Sequence, residues 1–465
     1  MTGDQGPANL GDVIHAGSVI QPGHDATRTR NITLLLATSV AIIMTGFGII
    51  MPVFARRLGE FGSGVEALGL MTTAFALATF VAAPFMGALA DRIGRRPLIL
   101  LSLISFAVVN VGFLFARSTG EFTMLRVVEG LLTAGLMPAA MGIVADIAPE
   151  DQRAQKTGIV TAGMGLGIVF GPVLGGVLYD AWGFGAPFIA SAALATLAFL
   201  FALVMVPETR PAAVRRRDAM RLRRTSTSSG PSENGRWAFL PRPRYVFGTL
   251  LLLDFVIVFE YTFVEPQMIF YFYEQLQWTT IQFGLVIAAT GVAIVVSQAL
   301  LSQISDRIGR KPVVIMGALL FTALPGALAF VTWYPMMLML AAVAGLGLGL
   351  MLPALNAFYL DITQAQHRGR VQGVKASSAS LGGVFGPLVL AGITSLIAPQ
   401  GVFLAAGAIL VATIAICLIG LREPDRTPHG EEAKGWQRSA DRSSLAAATL
   451  RGISSRAIIS RQSRL

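Results

Sequence analysis

The chain has 465 residues, 54% of them hydrophobic and only 13% charged, with a mean hydropathy of +0.65. A soluble domain carries about a quarter charged residues, so the composition excludes an ordinary water-soluble protein and makes lipid the solvent. The net charge of +10 sits in tails and loops between apolar runs, which argues against a nucleic-acid-binding protein and fits the bias that orients membrane helices.

Residues 1–31 are polar and of mixed charge (Asp4, Asp12, Asp25, Arg28, Arg30) and hold no short apolar region before a cleavage site, so they read as a tail and not a signal. A bilayer core about 30 Å thick needs roughly 20 apolar residues per helix. Runs of that length predict spans at 32–54, 66–90, 97–116, 122–145, 158–179 and 186–206, then 246–271, 281–304, 312–332, 335–360, 372–397 and 401–421. The seventh is interrupted by Asp254, Glu260 and Glu265, and an internal repeat supports it. Asp91-Arg92-Ile93-Gly94-Arg95-Arg96-Pro97 recurs 215 residues later as Asp306-Arg307-Ile308-Gly309-Arg310-Lys311-Pro312, and the same register lays Asp146 on Asp361 and Gly171-Pro172 on Gly386-Pro387. The expected fold is an all-α membrane protein of twelve transmembrane helices in two pseudo-symmetric six-helix bundles, 32–209 and 245–421. A basic linker, 210–244, joins the bundles, and a polar tail, 422–465, follows.

Orientation follows from lysine and arginine placement. Alternate loops hold Arg92, Arg95 and Arg96; Arg153 and Lys156; Arg307, Arg310 and Lys311; and Arg368 and Arg370, whereas the other set holds little beyond Arg56, Arg57 and Arg117. Both termini are therefore expected on the cytoplasmic side of a plasma or inner membrane. The linker, which includes Arg215-Arg216-Arg217, reads as a solvated tether, with contact to anionic lipid as the alternative.

The loop from Gly87 through Asp91, Arg92, Gly94 and Arg95 resembles the signature between helices 2 and 3 of the major facilitator superfamily. The resemblance implies two bundles rocking around a midplane site, with this loop locking the halves through charge pairs and a helix end. Asp146 is the expected partner, and Asp306, Arg307, Gly309 and Arg310 form the second copy, in which Ser302 replaces the first glycine. Span 5, with Gly158, Gly167, Gly171-Pro172 and Gly175-Gly176, resembles the antiporter signature of the drug-efflux branches. Glycine in a helix interior costs roughly 0.5–1 kcal/mol relative to alanine, so this density calls for close backbone approach. Span 11 keeps Gly386-Pro387 but has Leu390-Ala391 in place of the glycine pair, and that asymmetry goes with exporters in the family.

Arg126-Val127-Val128-Glu129-Gly130 resembles the family's intramembrane arginine motif, with Glu129 where a glutamine usually stands. A charge at this depth costs about 2.5–3.5 kcal/mol on insertion scales, and Glu129 is within reach of a same-helix pair with Arg126. An alternative has Arg126 reaching the interface. In span 7, at 100° per residue, Asp254, Tyr261 and Glu265 stack on one face and Glu260 points elsewhere. Three acids in one helix imply a water-filled cavity beside it. Val264-Glu265-Pro266 and the aromatics that follow look like the same place in vesicular monoamine transporters and their bacterial relatives.

The resemblance implies proton-coupled export of small lipophilic, cationic molecules, with protons and membrane lipids as the other partners and a monomeric chain. Phe259, Tyr261 and Phe263 offer cation contact. Within transport, a sugar or organic-anion carrier using Asn110, Asn356, Gln298 and Lys375 is the alternative; outside it, a membrane sensor. No phosphate-binding loop and no hydrolase motif is present, so no enzyme activity and no cofactor is expected. The four histidines (His15, His24, His367, His429) all fall in tails or loops and Cys417 is the single cysteine, so no metal site is expected.

Overall fold

The computed structural model describes residues 26–148, 152–206, 208–209, 240–241, 243–301, 304–364 and 367–423. The expected N-terminal tail up to residue 25, nearly all of the linker and nearly all of the C-terminal tail lie outside the described residues. Among the described residues twelve helices are long and apolar enough to cross a membrane. They are α1 Thr29–Glu60, α2 Val65–Ala90, α3 Arg95–Phe115, α4 Thr119–Ile147, α5 Gln155–Trp182 and α6 Gly185–Met205. The second six are α7 Arg244–Gln275, α8 Thr280–Leu301, α9 Arg310–Leu328, α10 Tyr334–Asp361, α11 Arg368–Ile393 and α12 Pro399–Gly420.

Most helices outrun the apolar runs by a few residues, because hydrogen bonding continues through polar ends that hydropathy discards. α1 is the largest case: it continues through Arg56, Arg57 and Glu60, with an Arg57–Glu60 pair at 2.5 Å on its last turn. α9 and α11 instead end four residues earlier than expected, at Leu328 and Ile393.

The two halves pack by one rule. α1 lies on α5 and α6, α2 on α4, and α3 on α4 and α6; likewise α7 lies on α11 and α12, α8 on α10, and α9 on α10 and α12. Between the halves α5 meets α8 and α2 meets α11, and these two contacts exchange under the same symmetry. The sequence repeat is thus a structural repeat.

Glycine sets the closest approaches. A Cβ on Gly171 would fall 2.6 Å from the Gly48 Cα on α1. Gly163, Gly167 and Gly175 press in the same way on α1 carbonyls at Ala37, Ala41 and Ile49. The repeat of four residues keeps these glycines on one helix face. Gly176 faces α8 instead, against the Thr280 carbonyl, and the Gly284 of α8 packs on Pro172. Gly158, expected in this set, has nothing within 4 Å, and Gly163 extends the run in its place. In the second half Gly382 and Gly386 meet the Phe255 and Phe259 carbonyls of α7, while Leu390 fills the position where α5 has Gly175.

A branched side chain at Gly171 must push two backbones apart, and overpacking of this kind costs about 1–3 kcal/mol. Gly171→Val is expected to lower the melting temperature of the detergent-solubilised protein, while Gly158→Val, with open space around it, leaves it unchanged. Size-exclusion chromatography after graded heating checks both.

Candidate functional site

The repeated loops mark one face of the protein, here the basic face. Gly94 and Gly309 adopt φ of 108° and 111°, values open essentially to glycine alone, so each loop turns the chain sharply between two helices. Arg95 then pairs with Asp146 at the end of α4 and also donates to the Gly142 carbonyl. Glu208 accepts from the backbone N–H groups of Arg95 (3.2 Å) and Arg96 (3.3 Å), which satisfies two otherwise orphan donors at the start of α3. The second copy repeats the plan, with Arg310 at 3.0 Å from Asp361 and 2.5 Å from Asp306. Arg92 and Arg307 are exposed. The Asp91 side chain lies outside what is described.

These pairs tie helices within each half. The expected lock between halves is not formed by them in this conformation. A Cβ on Gly87 would meet nothing within 4 Å. The buried core of α1 to α6 (Leu98, Leu103, Ile143) and that of α7 to α12 (Val314, Leu355, Phe358) are separate at the basic face. At the opposite face a single core runs through both, from Phe113 and Phe188 to Phe272 and Phe403. Polar contacts also join the halves there. Arg56 donates to the Trp278 carbonyl (2.9 Å) and lies over the Tyr273 ring (3.9 Å), and the Tyr273 hydroxyl donates to the Pro52 carbonyl (3.0 Å). Asp180 accepts from the Ile281 N–H (3.1 Å). Among the described residues the buried cores of the two halves are joined at the face opposite the basic loops and are separate at the basic face.

Between these ends lies a cavity of about 260 Å³ lined from both halves. Met44, Phe47, Met51 and Phe54 of α1 supply one apolar wall, and Met71 and Phe75 of α2 another. α5 contributes Ile168 and Pro172, and α8 contributes Ile287. Polar groups enter from only a few positions: Thr72, Arg126, Tyr261 and Glu265.

Arg126 is 2.9 Å from Glu129 on the same helix, and its guanidinium lies over Phe54 (4.2 Å) and Phe75 (5.0 Å). It faces the cavity and does not reach for the interface. Glu129 is fully buried behind it, with Oε1 unpartnered. Glu265 faces Arg126 across the cavity and makes no ion pair or hydrogen bond among the described residues.

The sequence grouped Asp254 with Tyr261 and Glu265 on one face, and the structure separates it from the cavity they line. Eleven residues of helix rise carry Asp254 about 16 Å away, where its carboxylate lies 3.9 Å from Lys375 of α11. Lys375 also donates to Asn356 of α10 and sits over the Tyr359 ring at 5.2 Å. Glu260 is 3% exposed and turned away from the cavity; Val256, one turn before it, packs among Phe321, Ala344 and Leu410. Of the aromatics expected to meet a cation, Phe259 and Phe263 stack along α7 at 5.5 Å, leaving Tyr261 in the cavity. Asn110, Asn356, Gln298 and Lys375 do not line it. Sequence reasoning missed the methionine and phenylalanine walls. Their signal was present, since Met44, Phe47, Met51 and Phe54 fall at intervals of three and four.

Among the described residues no group of three or more His, Cys, Asp or Glu side chains comes together. Twelve spans in two related bundles around a central cavity define a membrane transporter for small molecules. The family model of the Major Facilitator Superfamily matches residues 36–265 and 250–460, and the chain belongs to that family. It is 29% identical over 377 residues to the tetracycline resistance protein, class C, of Escherichia coli, covering 79% of this chain and 90% of that one. It is 26% identical over 400 residues to the multidrug resistance protein MdtG of Klebsiella pneumoniae, covering 84% and 94%. Among solved structures it resembles a bacterial homolog of the human lysosomal transporter Spinster in an inward-facing, occupied conformation (TM-score 0.65, 16% identity, 84% of this chain and 96% of that one).

The Arg56–Tyr273–Trp278 contacts hold the face opposite the basic loops closed. Arg56→Gln removes both the hydrogen bond and the cation–π contact, worth about 0.5–2 kcal/mol. The expected result is a several-fold rise in maleimide labelling of Met51→Cys from that face, in a Cys417→Ser background.

Proposed function

We propose that this protein is a proton-coupled exporter of small lipophilic cations, working by alternating access with both termini in the cytoplasm. The observation that carries this reading is the charge balance of the cavity. One guanidinium, Arg126, is set against two carboxyls, Glu129 and Glu265. With both carboxyls ionised the site holds a surplus of one negative charge, which one bound proton or one substrate cation cancels. Both together would leave a surplus positive charge in a low-dielectric cavity, where unpaired charge is costly. Mutual exclusion of proton and substrate at one site is what antiport requires.

Each residue has a role in this scheme. Glu265 alternates between proton and substrate, because it alone of the three has no partner. Arg126 is held by Glu129 over Phe54 and Phe75, so it sets the local field without occupying Glu265. Tyr261 and the methionine–phenylalanine walls take the apolar body of the substrate; methionine adapts to varied shapes, and aromatic faces attract cations. The tetracycline and multidrug resistance relatives support an apolar, drug-like cargo. Asp254 is balanced by Lys375 and is assigned to holding α7 against α11, not to meeting cations directly. One proton moving down about 100 mV supplies about 2.3 kcal/mol, enough for a gradient of tens-fold of a neutral substrate at about 1.4 kcal/mol per tenfold. A monovalent cation exchanged one for one with a proton is driven by the pH difference alone, because the exchange moves no net charge.

The basic loops lie in the cytoplasm by the positive-inside rule, so the conformation described is the inward-open one. Tags placed in residues 215–235 and at the C-terminus are expected to resist protease in intact cells and to become accessible in inverted vesicles; cleavage of either tag from outside refutes the orientation.

Coupling is tested by substrate-induced proton release from detergent-solubilised protein near neutral pH. Wild type is expected to release about one proton per substrate bound, and Glu265→Gln none, while retaining binding of a neutral substrate. Asp254→Asn is expected to release as wild type does. Undiminished release from Glu265→Gln eliminates it as the carrier and transfers the role to Glu129 or Glu260.

A further inference from the structure

On the face opposite the basic loops, α7 does not end as an ordinary helix. Its last residues, Tyr271–Gln275, form a π-helical turn, and such widened turns recur at functional sites. Glu274 and Gln275 of this turn line a pocket of about 170 Å³, together with Glu66 in the first turn of α2 and Thr394 just past α11. Gln267, two turns before Glu274 on α7, lines the same pocket. It is 5% exposed, and its carboxamide makes no hydrogen bond among the described residues. The Thr394 hydroxyl oxygen is also buried without a partner. Buried polar groups are ordinarily satisfied, so an unpartnered carboxamide and a buried unpartnered hydroxyl lining one pocket with two carboxylates point to a ligand.

The donors are all oxygens: two carboxylates, two carboxamide oxygens and a hydroxyl. Neither imidazole nor thiolate is among them, which disfavours the softer transition metals. A hard divalent cation suits this set. Calcium takes roughly six to eight oxygens, waters included, in a flexible shell, whereas magnesium demands a near-ideal octahedron. Two carboxylates match a double positive charge, and the pocket leaves room for water ligands. The donors also come from both halves, Glu66 from the first and the remainder from the second.

We propose that this pocket is a low-affinity calcium site that ties α2 to the ends of α7 and α11 and so stabilises the conformation closed on this face. In the orientation proposed above the site meets the external medium. Extracellular calcium sites bind with dissociation constants on the order of 0.1–1 mM, so external calcium then opposes outward opening.

The test uses the purified full-length protein and needs no transport, so its outcome is independent of the proposed export activity. Thermal unfolding is followed during titration with calcium chloride, magnesium chloride, tetramethylammonium chloride, or choline chloride at matched ionic strength. Calcium is expected to raise the melting temperature saturably with an apparent Kd on the order of 0.1–1 mM. The apparent Kd is expected to be at least tenfold weaker in Glu66→Gln and in Glu274→Gln; both side chains are exposed, so both variants fold. Gln267→Leu is a third variant with the same expectation. In intact cells, where a membrane-impermeant maleimide reaches only this face, calcium is also expected to slow labelling of Met51→Cys, in the Cys417→Ser background, unless Glu66 and Glu274 are both replaced. The assignment is overturned by the absence of a saturable calcium shift, by a shift undiminished in the double variant, or by an equal shift with tetramethylammonium. Labelling that ignores calcium overturns the conformational role.

Discussion

The contact on which the molecule depends is backbone against backbone, where the Gly171 position of α5 meets Gly48 of α1. In lipid, apolar side chains gain little by leaving their surroundings, so helices associate through close van der Waals packing and small residues at their interfaces. The glycine run from Gly163 to Gly175 lets α5 press on α1 over about three turns. That approach fixes how α1 presents Met44, Phe47, Met51 and Phe54 to the cavity. It also leaves the other side of α5 free to meet α8 through Gly176 and Pro172, so one helix serves both as internal support and as half-to-half bearing. In the second bundle the run stops at Gly386 and Leu390 follows it. The two bundles share a plan without sharing a fit.

The second constraint is the cost of charge in hydrocarbon, about 2.5–3.5 kcal/mol per residue on insertion scales. Nearly every intramembrane charge answers it with a partner: Arg126 with Glu129, Asp254 with Lys375. The basic loops answer it similarly at the membrane edge, Arg95 with Asp146 and Arg310 with Asp361. Against this background the two carboxyls without partners stand out, and they differ in surroundings. Glu265 opens on the cavity and Glu260 is turned into the packed second bundle. A carboxyl facing a cavity has room to exchange what it holds, whereas a buried one outside the cavity does not.

The count and pairing of helices were legible in the sequence because lipid enforces long apolar runs and because the loop at Asp91 recurs at Asp306. The Arg126–Glu129 pair was legible too, since three residues of helix bring the two side chains together. The site was readable only in part. Helical spacing puts Asp254, Tyr261 and Glu265 on one face, yet a shared face does not make a shared cavity when about 16 Å of rise and a lysine on another helix intervene. Lys375 is 121 positions from Asp254, and no local pattern links them. Gly158 was included in the run and Gly163 left out for a related reason: motif spacing marks small residues, but only the neighbouring helix decides which of them is pressed. The cavity walls on α1 were hidden because apolar residues in a membrane helix look alike whether they face lipid, a neighbour or a cavity.

The single core at the closed face has a thermodynamic consequence. Two of the three large cores lie within one bundle each and would travel intact in the alternating access proposed above, but the third joins Phe113, Phe122 and Phe188 to Phe272, Phe283 and Phe403 across the divide. Opening that face wets aromatic surface, and exposing apolar surface to water carries a positive heat-capacity change. The equilibrium between the two conformations therefore cannot follow a straight van't Hoff line. Its enthalpy drifts with temperature, and the balance between inward and outward states in this protein belongs to the temperature at which it is measured.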